Sequence, residues 1–259
     1  REMQKLYNRI PSGKESSLLK QGFPKSTLSF TAFANATAIC FLELDEGSRP
    51  TGHPALHVLP SALALSQSLG KSGSQFLTAF ILGYEVQYRI QKATRLKSII
   101  HPHGNFGNAG AIAAIGKLSG WNAEKIRNGI NASVGLAMAT SWQPCLVGAT
   151  VRNAYPGLTA QIAFTTKLLI ESGFTGYGGA LAETFGEILG EDFQASVLTE
   201  GIGKQYGITH NYFKFHAACA LNHSVLDALA HALGMKIHHG SYPPFTVTGN
   251  HPDPKLIKK

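Results

Sequence analysis

Two His-Pro pairs stand out among the residues able to do chemistry. They are His53-Pro54, within Thr51-Gly52-His53-Pro54-Ala55, and His101-Pro102, within Ile100-His101-Pro102-His103-Gly104-Asn105-Phe106-Gly107. A proline after a histidine steers that histidine away from helical geometry, so its ring is held at the edge of an element. Histidine is also the side chain whose ordinary pKa, about 6.5, suits proton transfer near neutral pH. Each pair precedes a small-residue-rich stretch that reads as a helix. Two such loops feeding one helical body predict a pocket rimmed by imidazoles.

Cations that could serve such a pocket follow later in the chain. Arg152, in Gly148-Ala149-Thr150-Val151-Arg152-Asn153-Ala154-Tyr155-Pro156-Gly157, reads as a loop residue entering a helix. There backbone N–H groups and a guanidinium can converge on a carboxylate, although an ordinary solvated arginine is the simpler reading. Lys214, between Phe213 and Phe215, reads either as a snorkelling cation or as a ligand-facing ammonium with a lowered pKa. Cys219, among Ala217, Ala218 and Ala220, reads as a buried packing thiol rather than a nucleophile. His101 and His103 have H-x-H spacing, but catalytic zinc wants three protein ligands and no third is spaced nearby. The chain has four aspartates, Asp45, Asp192, Asp227 and Asp253, which argues against a carboxylate-rich metal cage. No metal is expected.

The elements that must position these residues read as helices. Ser29 to Leu44 is an Ala-rich run, and Leu56 to Leu69 repeats apolar residues at helical spacing, with Pro60 taken as its start. Ser72-Gly73-Ser74-Gln75 is a capping box opening a helix to about Lys92. Phe106 to Leu118 follows, and Asn122 caps a helix through Val134 with Glu124 in its first turn. Leu158 to Glu171 and Ala180 to Leu189 are further helices. Gly104, Gly107 and Gly110 imitate a dinucleotide loop, but no strand precedes them, so they predict close helix packing. Between Leu28 and Leu189 no period-2 strand is expected. After Gly201 comes loop, then a helix over Leu221 to Met235, then Phe245-Thr246-Val247-Thr248 as the first strand. The fold class expected is therefore all-α, with residues 1–206 as a helical domain. Residues 207–259 read as the truncated beginning of an α+β domain, because a lone strand leaves its backbone groups unpaired.

Composition bounds the partners. Charged residues make up 15% of the 259 residues, scarce enough to imply extensive burial or a large subunit interface. The formal charge of +8 is scattered, without a dense basic run, so nucleic acid is not expected. A basic pocket for an anionic small molecule accounts for the sign, as would a missing acidic segment. Cys40, Cys145 and Cys219 lie far apart, which points to a reducing compartment rather than a disulfide framework. No apolar run reaches the roughly 18 residues of a membrane span. The N-terminus shows neither a signal peptide nor an initiator methionine, and reads as a fragment or a processed chain.

Four blocks in register resemble the MmgE/PrpD family, over about Ser29 to Leu233. They are Leu42-Glu43-Leu44-Asp45-Glu46-Gly47 with Gly52-His53-Pro54-Ala55 and Val58-Leu59-Pro60; then His101-Pro102-His103-Gly104 with Phe106-Gly107; then Gly148 to Gln161; and Phe213-Lys214 through Cys219 to His223. The resemblance implies a large helical domain plus a smaller α+β lid, usually as a homodimer, with the family's first helices and most of the lid lacking here. The family's activities include 2-methylcitrate dehydration, cis-aconitate decarboxylation and iminodisuccinate epimerisation. It implies His53, His101 and Lys214 as catalytic groups, and Arg152, His103, Glu43 and Cys219 as substrate contacts. Arg152 stands where many members have lysine, Glu43 and Gly47 where the decarboxylase has aspartate and threonine, and Cys219 where it has histidine. These departures weaken the decarboxylase reading and leave a dehydratase or an epimerase open. The reading taken is a dehydratase acting on a small polycarboxylic acid, without cofactor, in the cytoplasm or, in a eukaryote, the mitochondrion. The alternatives are an epimerase or decarboxylase of the same kind, or a catalytically silent subunit.

Overall fold

The computed structural model describes residues 2–49 and 52–234. Its elements in chain order begin with α1 (Glu2–Tyr7), a hairpin of β1 (Ser16–Ser17) and β2 (Lys25–Ser26), α2 (Leu28–Leu42) and β3 (Glu46–Ser48). Next come α3 (Pro54–Ser68), α4 (Gly73–Ala93), β4 (Thr94–Leu96), α5 (Gly107–Leu118) and α6 (Ala123–Val134). Then follow α7 (Gln143–Leu146), a 3-10 turn over Thr150–Ala154, α8 (Tyr155–Glu171) and α9 (Ala180–Ala182). The described part ends with β5 (Gly190–Phe193), β6 (Asn211–Phe213) and α10 (His223–Ala232). It is mostly helical, as expected.

The core is organised around α5. Every residue of this helix except Lys117 is buried, and α3, α4, α6 and α8 pack around it. A helix without a polar face can only be an interior one. Its composition of Gly, Ala and Ile lets the neighbours come close. A Cβ built at Gly110 would lie 2.7 Å from the Gly83 carbonyl oxygen of α4, and one at Gly83 would lie 2.5 Å from that of Gly110. Gly107 and Gly110 thus serve close packing, as expected, whereas Gly104, with φ +97°, serves a turn. Asn122 accepts from the Lys125 N–H at 2.8 Å, and Ser72 and Gln75 close both bonds of the capping box.

Three readings need correction. Pro60 lies inside α3, and Pro54 opens it at the first turn, with His53 at the N-cap. Proline suits a first turn because that N–H has no helical partner anyway; Pro60 is tolerated because α2, α4 and α5 clamp the helix around it. Strands do occur before residue 189, but none exceeds four residues, too short to write a period-2 pattern. The expected helix over 180–189 becomes a wide π-turn at Glu183–Ile188. That turn presses the Phe185 carbonyl against Gly190, where a Cβ would fall 1.8 Å away. The strand expected at 245–248 lies outside the described residues, as does Met235. Among the described residues no helix is long and apolar enough to cross a membrane.

One long-range clamp matters for the site. Arg89, on α4, pairs with Glu85 at 2.7 Å and donates to the carbonyls of Leu198 and Glu200 at 3.1 and 2.8 Å. Glu85 in turn accepts from the Gly207 N–H at 2.7 Å. The segment 198–207 is thereby tied to the helical body, and β6 follows it directly. Gly110→Val should drive α4 and α5 apart, costing about 2–3 kcal/mol and lowering the Tm by roughly 5–10 °C in a thermal melt. A melt unchanged by that substitution would mean the two helices are not in backbone contact.

Candidate active site

The site is built where the end of α2 meets β3 and β6. Glu43 terminates α2 in the left-handed conformation, φ 51°, and is the one non-glycine with positive φ among the described residues. Such a conformation costs free energy in a side-chain-bearing residue, so its surroundings must hold it there. They do so through both carboxylate oxygens. Oε1 pairs with Arg152 Nη1, and Oε2 lies 2.5 Å from Lys214 Nζ. β6 runs antiparallel to β3, pairing Glu46 with Phe213 and Gly47 with Tyr212. The Lys214 N–H extends that ladder by donating to the Asp45 carbonyl at 3.1 Å. The register delivers the Lys214 ammonium to Asp45 Oδ1 at 2.8 Å. Tyr212 covers Gly47 so closely that a Cβ there would lie 2.3 Å from its ring.

His53, at the start of α3, directs Nδ1 at two acceptors. Asp45 Oδ2 lies 2.9 Å away, and the Glu46 carbonyl oxygen 2.6 Å away. Glu46 accepts from the Ala55 N–H in the first turn of α3, a place that suits a carboxylate. His57, one turn further on, donates from Nδ1 to the His53 carbonyl at 2.8 Å.

The second His-Pro loop lies against these rings. Gly104, with φ +97°, makes the turn after Pro102-His103. Thr140 fastens the loop: its carbonyl accepts from the His101 N–H at 2.8 Å, and its hydroxyl donates to the carbonyls of His101 and His103. Asn105 Nδ2 also donates to the His101 carbonyl, at 2.8 Å. The His103 ring sits centrally, with ring centres 4.9 Å from His53, 5.1 Å from His57 and 4.7 Å from His101. Trp142 packs on His101 at 4.2 Å, and Tyr155 meets it edge-on at 6.0 Å.

Burial and charge divide these groups into two sets. Burial pushes His57 down to about 4. Burial, aided by the Arg152 charge, pushes His101 down to about 3. His103 is held well below the usual imidazole range by burial and by His101. These three rings are therefore neutral at physiological pH. The acidic set behaves oppositely. Burial resists ionisation of Asp45, but His53 and Lys214 overcome it and hold the carboxyl at about 2. Burial likewise resists ionisation of Glu43, and Arg152 and Lys214 overcome it. Among the described residues Glu46 is in no ion pair, and burial raises it to about 7.

Of the residues singled out in the sequence, Glu43, His53, His101, His103, Arg152 and Lys214 converge here. Cys219 does not. It is exposed in the turn before α10, and among the described residues no hydrogen bond or ion pair joins its thiol to the cluster. The small alanines around it do not bury it, because Ala217, Ala218 and Ala220 are themselves at least partly exposed. Lys214 also departs from expectation. Its pKa is raised, not lowered: burial opposes the charge, but Asp45 and Glu43 more than compensate. Its neighbours Phe213 and Phe215 point outward, 66% and 55% exposed. Arg152 is neither solvated nor free for a ligand alone, since Glu43 already occupies part of its fork.

Sequence reasoning missed Asp45, Glu46 and His57 as site residues. The signals were an acidic cluster between Glu43 and Glu46, and a second histidine four positions after His53. Among the described residues no group of three or more His, Cys, Asp or Glu side chains is arranged to hold a metal ion.

Residues 1–191 match the MmgE/PrpD N-terminal domain, and the chain belongs to that family. It is similar to the cis-aconitate decarboxylases of Homo sapiens and Mus musculus, at 31% identity over 163 residues in each case. The match takes in 57% of this chain and 34% and 33% of those proteins, so the chain spans about a third of the curated relatives' length.

The neutral histidines should make the fold sensitive to acid. A folded-state pKa of about 4 at His57, against roughly 6.5 unfolded, means the unfolded chain takes protons first as pH falls. The stability His57 contributes is present above 6.5 and lost as pH drops toward 4; His101 and His103 act in the same sense. Glu46 acts in the opposite sense, but three imidazoles outweigh one carboxyl. Unfolding free energy from urea titrations should therefore fall steadily from pH 7 to pH 4. His57→Leu should flatten that slope, by on the order of 3 kcal/mol across the interval. An equal slope in wild type and variant would place the acid sensitivity elsewhere.

Proposed function

We propose that this chain carries the proton-transfer and carboxylate-binding centre of a lyase acting on a small polycarboxylic acid, with dehydration as its reaction. One juxtaposition supports the reading. A part-exposed imidazole, His53, backed by Asp45, stands beside an arginine and a buried lysine that share Glu43. A carbon next to a carboxylate gives up its proton when a base is at hand and the developing negative charge is offset. His53 takes that proton on its free ring nitrogen, a step worth typically about 10²–10⁴-fold in rate. The C–H bonding pair becomes the new C=C bond as the neighbouring C–O bond breaks, and the hydroxide leaves as water by taking up the proton from the His53 imidazolium so formed. Arg152 and Lys214 face the charge that accumulates on the carboxylate oxygens. Arg152 Nε is buried without a partner among the described residues, a donor still open to an acceptor. The bookkeeping of protons and bonding pairs closes without a nicotinamide or other cofactor.

A second reading, decarboxylation, draws support from the similarity to two cis-aconitate decarboxylases. There a C–C bond breaks, carbon dioxide leaves, and the electron pair left on carbon takes a proton from the imidazolium. Epimerisation would remove and return the same proton on opposite faces. In this proposal residues 1–206 form the helical domain, and 207–259 open an α+β lid that contributes Lys214. Two copies pair, a reading supported by the low share of charged residues.

Proton NMR of the chain in D₂O with 2-methylcitrate, citrate, cis-aconitate and iminodisuccinate tests the function. Deuterium should enter at a carbon beside a carboxylate, and the product formed separates the three reactions. His53→Ala should cut the exchange by about 100-fold or more while the helical circular dichroism stays intact. Arg152→Met should raise KM for tricarboxylic acids by roughly 10-fold or more, and far less for monoacids. No exchange with any acid, from a folded chain, would favour a silent subunit.

A further inference from the structure

We infer that Asp45 is a positioning residue that holds His53 with its proton on Nδ1 and its lone pair on Nε2, while His101 is held in the opposite state. As an assignment of the base, this rests on the lyase reading above. The argument itself needs only donors and acceptors.

His53 Nδ1 faces two oxygens and no donor: Asp45 Oδ2 at 2.9 Å and the Glu46 carbonyl at 2.6 Å. Neither oxygen carries a proton to give, because a carbonyl only accepts and Asp45 is ionised beside Lys214. The hydrogen must therefore be on Nδ1, and the lone pair of a neutral ring is on Nε2. The arrangement has the logic of a carboxylate-oriented histidine base: the carboxylate selects the tautomer and stabilises the imidazolium once a proton has been taken. Asp45 is itself held. Its Oδ1 receives Lys214 Nζ at 2.8 Å, and its carbonyl receives the Lys214 N–H at 3.1 Å.

His101 is bonded the other way. The His103 backbone N–H donates to His101 Nδ1 at 3.0 Å, so that nitrogen is an acceptor and carries no hydrogen. A neutral His101 must carry its proton on Nε2, a buried N–H with no acceptor among the described residues. It therefore stands ready to donate to an oxygen and cannot act as the base through that atom. The groups facing His53 are thus Asp45, Glu46 and Lys214 from the β3–β6 pair, His57 from α3, and His103 from the second loop. Of the four imidazoles, His53 is the ring that combines a carboxylate partner with exposure, 17% for its side chain.

The test is long-range ¹H–¹⁵N NMR of the ¹⁵N-histidine-labelled chain at pH 8.5, with the His53 and His101 signals identified by their loss in His53→Gln and His101→Gln. His53 should show the proton on Nδ1 and His101 the proton on Nε2. A His53 signal with its proton on Nε2 overturns the proposal, whatever the acids do. The second arm is kinetic. Asp45→Asn should shift the acidic limb of the kcat/KM profile down by about one pH unit, because an imidazolium loses its nearby anion. It should lower kcat at least 10-fold with KM little changed, and Asp45→Glu should restore part of the loss. An acidic limb that stays in place in Asp45→Asn also overturns the proposal. The expected NMR pattern without deuterium exchange on any acid would instead remove the lyase reading and leave the tautomers as assigned.

Discussion

The Lys214 ammonium is 3% exposed, and everything at the site depends on how that buried charge is balanced. An ammonium taken out of water is tolerable only with close anionic partners, and its partners here are Glu43 and Asp45. Lys214 lies 171 positions from Glu43 in the chain, and Asp45 is two positions beyond Glu43. Their contact forces the end of α2, strand β3 and the segment around β6 to meet at one point. The same carboxylates then do further work on their other sides. Glu43 takes Arg152 and is kept in a left-handed backbone conformation, and Asp45 takes His53. The balance of charge, and not apolar packing, sets the geometry of this corner of the molecule.

A second constraint comes from the helical body. α5 is interior on all sides, and its glycines and alanines let α4 approach until the two backbones touch at Gly83 and Gly110. Gly107 belongs to the same pattern, since a Cβ there would lie 2.5 Å from the His57 ring. The close packing that stabilises the core therefore continues up to the imidazoles. Those rings inherit its low polarity, which is why His57, His101 and His103 are held neutral. Three uncharged rings behind one carboxylate-paired ring keep excess positive charge away from the site.

The sequence by itself determined most of the helices and several of their ends, because the signals for them are local; the start of α3 and the π-turn at Glu183–Ile188 escaped it. Ser72 and Asn122 cap where hydroxyl and amide side chains meet free N–H groups, and the spacing of small residues in α5 announces an interior helix. The two His-Pro loops and the cations Arg152 and Lys214 were legible as well, through their residue types and through the family pattern. What the tertiary structure alone decided is which groups pair. Asp45, Glu46 and His57 acquire roles only when β6 returns to β3 and when the second loop closes on the first. Lys214, read either as a snorkelling cation or as an ammonium with a lowered pKa, is buried and has a raised pKa, because the carboxylates that raise it come from about 170 positions away. Cys219, read as buried among alanines, is exposed because those alanines are themselves at least partly exposed. Local signals act over a few residues and are written in the sequence. The raised pKa of Lys214 is set by carboxylates about 170 positions away, and only folding brings those partners within reach.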